Sequence, residues 1–215
     1  MTFETLLATA RDREYLPTMS SGITLWFTGI PSSGKSAIAR ATRDLLVQRG
    51  LPVELLDGPD VRQSLSRGLG FTREDREENV RRIGYVAKLL SRNGVIAICA
   101  AVSPYRATRE EIRAHVTNFV EIFVDCPLPV AEQRDSDGLY ARARAGVIED
   151  FTGISDPYEP PDKPEVHIRS DQETIDSAAR KVIKTLELLQ LIPPVDDGFP
   201  DADELRRRLR GLGYI

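Results

Sequence analysis

The 215-residue sequence predicts a three-layer α/β sandwich: a parallel central sheet with helices on both faces. Two observations carry this. The runs Val95 to Val102 and Phe119 to Asp125 are apolar almost throughout rather than alternating, the pattern of strands covered on both sides, and helical patterns separate them. In addition, Gly29-Ile30-Pro31-Ser32-Ser33-Gly34-Lys35-Ser36 directly follows the apolar run Ile23-Thr24-Leu25-Trp26-Phe27 and opens into Ala37-Ile38-Ala39. Strand, glycine-rich turn and helix in that order are the context a phosphate-binding loop requires.

The remaining elements follow in sequence. A helix is expected from Ser36 to Gln48, stopped at Arg49-Gly50, and a short strand from Pro52 to Leu56. A charged amphipathic helix from Arg73 to Asn93 closes at Gly94, ahead of the strand Val95 to Val102. Thr108 to His115 is helical, and Phe119 to Asp125 is a buried strand. Pro129 to Arg144 reads as helix and loop, Glu165 to Arg169 as a last strand, and Glu173 to Leu189 as a closing helix. In such a fold, ligands bind at the carboxyl ends of the strands. Residues 21–190 form the core domain. Residues 1–20, with a short helix over Met1 to Tyr15, and residues 191–215, with a break at Ile192 to Gly198 and a helix over Asp201 to Leu212, are extensions. They serve either as packing appendages or as contacts to a partner.

Composition narrows the function. A net charge of −4 with signs mixed throughout argues against nucleic-acid and membrane-surface binding. No apolar stretch approaches the ~20 residues of a membrane span, and Met1-Thr2-Phe3-Glu4-Thr5 lacks the basic and apolar regions of a secretory signal. A cytoplasmic location is expected. Cys99 and Cys126 lie in apolar runs and read as buried free thiols, with a redox pair as the alternative.

Each part of the loop has a chemical reason. Backbone N–H groups and the positive end of the following helix attract phosphate oxygens. Lys35 reaches the β and γ phosphates, and the Ser36 hydroxyl holds magnesium. Gly29 and Gly34 stand where a side chain would block the approach of backbone to phosphate. Other strand ends must supply the rest. Asp57 ends the second strand, where a carboxylate can take a proton from an attacking hydroxyl or hold magnesium through water. Asp57-Gly58-Pro59-Asp60 is equally a strong turn sequence, and position alone does not choose. Arg62, Arg76 and Asn79 lie among many guanidinium groups, and Arg76 and Asn79, three apart on one helix, share a face. These arginines either fork onto an oxyanion or are solvated helix charges. Ser103-Pro104-Tyr105-Arg106 follows the third strand, and Gly138 to Phe151, carrying Arg142 and Arg144, reads as a lid.

From about Ser21 to Leu189 the sequence resembles the adenylylsulfate kinases (APS kinases), a family of P-loop NTPase, nucleoside-kinase-like fold. Besides the loop, the matching stretches include Asp57-Gly-Pro-Asp-Val-Arg62, Leu69-Gly-Phe-Thr-Arg-Glu-Asp-Arg76 and Glu78-Asn-Val-Arg-Arg-Ile83. Further on come Ser103-Pro-Tyr-Arg106, Gly138-Leu-Tyr140, Arg144-Ala-Gly146, Phe151-Thr-Gly-Ile154 and Pro157-Tyr-Glu159. The resemblance implies magnesium- and ATP-dependent phosphorylation of the 3′-hydroxyl of adenosine 5′-phosphosulfate (APS), giving 3′-phosphoadenosine 5′-phosphosulfate (PAPS) and ADP in sulfate assimilation. It implies Asp57 as the base, with Lys35 and Ser103 also catalytic, although direct transfer does not need a hydroxyl at Ser103. It assigns Gly29 to Ser36, Arg142 and Arg144 to ATP. Asp57, Asp60, Arg62, Arg76, Asn79, Val102 and Ser103 go to the substrate, as do Phe71 and Phe151, which sandwich its adenine. A homodimer, and association with an ATP sulfurylase, are the implied assemblies.

Two positions depart from the family. It usually has Asp-Gly-Asp-Asn where this chain has Asp57-Gly58-Pro59-Asp60, and a lysine where this chain has Asp137. The second reverses a charge near a dianionic ligand, and Arg142 is a candidate to compensate. Two rival functions therefore stand beside APS kinase: a kinase of another small nucleotide, and a catalytically weak nucleotide-binding regulatory subunit.

Overall fold

The computed structural model describes residues 22–195 and 202–215. The expected helix over Met1 to Tyr15, and residues 196–198 of the expected break, lie outside that set. Strands β1 (Thr24–Thr28), β2 (Val53–Asp57), β3 (Ile96–Ala100), β4 (Phe119–Asp125) and β5 (Val166–Arg169) form one sheet in the order β2-β3-β1-β4-β5, with every pairing parallel. The helices are α1 (Lys35–Gln48), α2 (Gly58–Gln63), α3 (Arg73–Ser91), α4 (Arg106–His115), α5 (Leu128–Gln133), α6 (Leu139–Arg144), α7 (Ile175–Leu188) and α8 (Ala202–Gly211).

The central strand β1 shows why the sheet is covered twice. Side chains alternate along a strand, so Leu25 and Phe27 pack with Ile38 and Leu46 of α1 and Val182 and Leu186 of α7. Trp26 points the other way, onto Val80 and Ile83 of α3 and Ile112 of α4. All five residues of β1 are buried, and each large apolar side chain so buried contributes about 1.5–3 kcal/mol. The α3–α4 contact depends on Gly84: a Cβ there would lie 2.4 Å from Ile112 Cδ1. A smaller cluster of Cys126, Ala131, Tyr140, Ala143 and Phe151 packs under the segment around α6.

Parallel register brings the chemistry to one edge. Phe27 pairs with Ala100 across β1 and β3, and Asp57 pairs with Ala100 across β2 and β3. The loop after β1, Asp57 and the segment after β3 therefore emerge side by side at the carboxyl ends of adjacent strands.

Two local expectations change. Asp57-Gly58-Pro59-Asp60 is not a free-standing turn: Asp57 is the N-cap of α2, accepting from Gly58 N at 2.9 Å, and Pro59 falls in the first turn, where its missing N–H costs nothing. The stretch Pro129 to Arg144 is two helices, parted at Gly138, whose φ of 64° caps α6. Asp135 Oδ2 accepts from Tyr140 N at 2.7 Å and fixes that start. The C-terminal extension packs on the body. Leu205 and Leu209 of α8 are buried, Arg208 Nη2 donates to Pro164 O at 2.7 Å, and the Tyr214 hydroxyl donates to Glu165. Cys99 and Cys126 are both buried and free, and burial pushes the Cys99 thiol up.

Candidate active site

The loop from Gly29 to Ser36 turns tightly under the sheet edge. A Cβ at Gly29 would lie 2.5 Å from Val124 O and 2.9 Å from Ser33 Oγ, so only glycine fits. Gly34, at φ 97°, turns the chain into α1. Lys35 folds back over the loop, its Nζ donating to Ile30 O at 2.7 Å, Gly29 O at 2.9 Å and Ser33 Oγ at 3.4 Å. Burial lowers its pKa to about 7, with the Asp57 carboxylate and Cys126 pulling the other way. Phosphate oxygens at this ammonium would restore full protonation. Nucleotide binding at pH 7 should therefore take up about half a proton, rising towards one at pH 8 and vanishing near pH 6. Calorimetry of ADP binding in buffers of different ionisation enthalpy measures this, and uptake independent of pH would remove Lys35 from the phosphate site.

Asp57 closes the other side. It is 1% exposed, and its Oδ1 accepts from Ser36 Oγ at 2.6 Å and from Gly58 N at 2.9 Å. Its Oδ2 accepts from Arg40 Nη2 at 2.5 Å. Lys35, Ser36 and Asp57 line a cavity of about 580 Å³ together with Pro31 and Ser32 of the loop, well within the ~300–1,000 Å³ of small-molecule sites. α2 and α3 contribute Arg62, Arg76 and Asn79; the end of β3 contributes Val102 and Ser103; the segment between α5 and α6 contributes Asp135, Ser136 and Asp137. Ile30 lines an adjacent cavity with Cys126 and Tyr158, while Ser33 is buried inside the loop.

The arginine pair has the electrostatics of an anion site. The Arg62 guanidinium lies 4.6 Å from the Phe71 ring centroid and that of Arg76 5.5 Å from it. Burial lowers the pKa of both, and in Arg62 the Arg76 charge adds to it. Two cations crowded together are relieved by an oxyanion between them. Arg76 is held by Phe71 O at 2.9 Å, by Asp150 O and, at 4.0 Å, by Asp156. Asn79 Oδ1 accepts from the Ser66 hydroxyl. Phe71 and Phe151 both line the cavity, but each ring is engaged elsewhere. Phe71 is 48% exposed under Arg62, and Phe151 packs edge-on against Tyr140 at 4.9 Å.

Ser103 sits at the cavity with its hydroxyl turned inward. Its Oγ accepts from Trp26 Nε1 at 3.0 Å and donates to Thr28 Oγ1 at 3.0 Å, and the residue holds a φ of 41°. Arg109, 1% exposed, donates to Ser103 O and Glu159 O at 2.7 Å each and to Glu121 Oε1 at 2.8 Å. This arrangement holds the strand end in place and leaves the hydroxyl committed to the protein.

Of the residues expected at ligands outside the loop, three stand apart from the cavity lining. Arg142 is exposed on α6; Arg144, also exposed, pairs with Glu132 at 2.5 Å; Asp60 is exposed on α2. Asp137 does line the cavity, so Arg142 does not offset its charge within the lining. Arg40 and Arg109 escaped sequence reasoning. Each carries one signal: Arg109 lies one helical turn beyond Tyr105, and Arg40 one turn beyond Ser36.

Comparison with known proteins accords with this geometry. A family model described as Adenylylsulphate kinase matches residues 21–169. The adenylyl-sulfate kinase of Microcystis aeruginosa is 53% identical over 171 residues, covering 80% of this chain and 94% of the relative. That of a Synechococcus species is 54% identical over 165 residues, covering 77% and 94%. The structure of the Mycobacterium tuberculosis APS kinase CysC in complex with AMPPNP and APS superposes with a TM-score of 0.75 at 41% identity, covering 78% of this chain and 98% of that one. Matched by this family model over most of its length and more than 50% identical to these relatives, the chain belongs to the adenylylsulfate kinase family.

Proposed function

We propose that this protein is an ATP-dependent kinase that phosphorylates the 3′-hydroxyl of APS, giving PAPS and ADP in sulfate assimilation. The observation that carries the reading is Asp57: a buried carboxylate in one cavity with the loop lysine, Lys35, and with the Arg62–Arg76 pair. That cavity therefore joins a phosphate cradle, a proton acceptor and an anion grip. Phosphoryl transfer asks for little else, because its catalysis is chiefly positioning and charge stabilisation.

In this reading Gly29 to Ser36 cradle the ATP phosphates and Lys35 moves from the loop carbonyls to the transferring group. Asp57 takes the proton of the ribose hydroxyl. Arg62, Arg76 and Asn79 hold the phosphosulfate, Val102 and Ser103 shape the floor, and Phe71 and Phe151 receive the adenine once Arg62 leaves the Phe71 ring. Arg142 and Arg144 reach ATP through movement of the α6 segment, and Asp60 reaches the substrate only with rearrangement of α2. Ser36 Oγ and Asp57 Oδ1, 2.6 Å apart, are an all-oxygen pair of the kind magnesium prefers. Ser36 would hold the ion directly and Asp57 through water. When bound, it neutralises phosphate charge.

Asp137, one of the two positions that depart from the family, lines the cavity. A unit charge at ~4 Å and an effective dielectric of 20 is worth ~4 kcal/mol before screening, and Asp137 is exposed, so most of that is lost. Asp137→Lys should tighten APS binding by about fivefold, ~1 kcal/mol. Calorimetry of APS binding with ADP and magnesium tests both points. Tight APS binding by the wild type supports the proposal, whereas tight binding of another nucleotide with none of APS replaces it with the rival kinase.

The proposal extends to a cytoplasmic homodimer, with an ATP sulfurylase as a partner in sulfate activation. No helix among the described residues is long and apolar enough to cross a membrane. Sedimentation of the purified protein, alone and with a sulfurylase, measures the assembly.

A further inference from the structure

Asp57 is held by three donors, and one belongs to a residue with no role so far. Ser36 and Arg40 are one turn apart on α1 (i, i+4), hence on one face. Both reach the same carboxylate: Ser36 Oγ to Oδ1 at 2.6 Å, Arg40 Nη2 to Oδ2 at 2.5 Å. Gly58 N adds a second donor to Oδ1 at 2.9 Å. Oδ1 thus carries a hydroxyl and an amide, whereas Oδ2, among the described residues, accepts only from Arg40 and keeps a lone pair for an incoming hydroxyl. Donors on both oxygens also fix rotation of the carboxyl plane.

We propose that Arg40 is a positioning residue for the phosphoryl-transfer step, locking the Asp57 carboxylate so that Oδ2 faces the acceptor hydroxyl. The inference rests on the reading of Asp57 as the proton acceptor. Asp57 is buried, with 2% of its side chain exposed, so an unheld Oδ2 would seek another donor by turning the carboxyl group. Arg40 is 55% exposed and can be truncated without opening the core. Small misplacements of a reacting group cost up to ~100-fold in rate.

The test is steady-state kinetics with ATP and APS for wild type, Arg40→Ala, Arg40→Lys, Asp57→Asn and the Arg40→Ala/Asp57→Asn double variant, each checked for thermal midpoint. Arg40→Ala should lower kcat about tenfold while leaving both KM values within about twofold. Arg40→Lys should recover part of the loss, and millimolar guanidinium added to Arg40→Ala should recover more, since the vacated position opens to solvent. In the Asp57→Asn background, Arg40→Ala should cost nothing further. Wild-type turnover in Arg40→Ala overturns the inference. So does an equal loss in both backgrounds, or a loss confined to KM. Full turnover in Asp57→Asn would instead overturn the base assignment, and the role of Arg40 with it.

Discussion

Lys35→Ala should lower kcat by about a thousandfold or more, with the protein still folded. The ammonium is the only cation the loop itself supplies, and charge spreads over the transferring phosphoryl oxygens as the bond to ADP loosens. In the structure Lys35 satisfies itself on Ile30 O and Gly29 O, so its role begins only when phosphate oxygens compete for those hydrogens. Stability should not confound the result. Burial depresses the Lys35 pKa from 10.5 to about 7, so between those values the folded state binds fewer protons than the unfolded one. Folding is then less favourable at pH 7 than at pH 10 on account of this group, and removing it relieves that penalty. The alanine variant should compare more favourably with wild type in thermal midpoint at pH 7 than at pH 10, whatever the lost contacts to Ile30 O and Gly29 O cost. Rapid-quench measurement of PAPS formation, with circular dichroism for the fold, checks both. Near-wild-type turnover would show that the loop does not hold the transferring phosphate.

The parts of this molecule legible in its sequence were those fixed by local pattern. The apolar run Phe119 to Asp125 coincides with β4 because burial on both faces leaves no other arrangement. The glycine-rich loop could be read because phosphate binding constrains spacing as well as composition. Arg76 and Asn79 were placed on one helix face by spacing alone, and they do line one cavity. The strand β3 is shorter than its apolar run: Val95 and Ala101–Val102 are apolar but lie outside it. The helix α2 was hidden because Asp-Gly-Pro-Asp serves a turn and a capped helix start equally well, and burial of Val61 on the core decides between them. Arg40 and Arg109 carry only a weak signal in the sequence, a place one helical turn beyond Ser36 and Tyr105. Their contacts to Asp57 and Glu159 reach 17 and 50 residues along the chain, which spacing within one helix does not reveal. The same limit explains Arg142 and Arg144: lid residues can be named from sequence, but where their side chains rest depends on tertiary packing.

Asp57→Asn should lower kcat by about 10²–10³ while ADP affinity stays within a few-fold, because general-base catalysis contributes on that scale and nucleotide binding does not use the proton. Asparagine keeps the size and can keep two of the three contacts. Its oxygen can still accept from Ser36 Oγ and cap α2 at Gly58 N, as the carboxylate Oδ1 does. Its amide nitrogen then faces Arg40 Nη2, donor against donor. Arg40 is half exposed and can turn to water, so the fold should tolerate the change. A loss of rate can then be assigned to the missing proton acceptor rather than to a collapsed site. Single-turnover transfer, with calorimetry of ADP for the loop, separates the two. Unchanged turnover would move the base elsewhere. Asp60 would be next by sequence, yet it is exposed on α2 and outside the cavity lining, so it could serve only if α2 rearranged on binding. No such movement is required of Asp57, which already shares its cavity with Lys35 and the arginine pair.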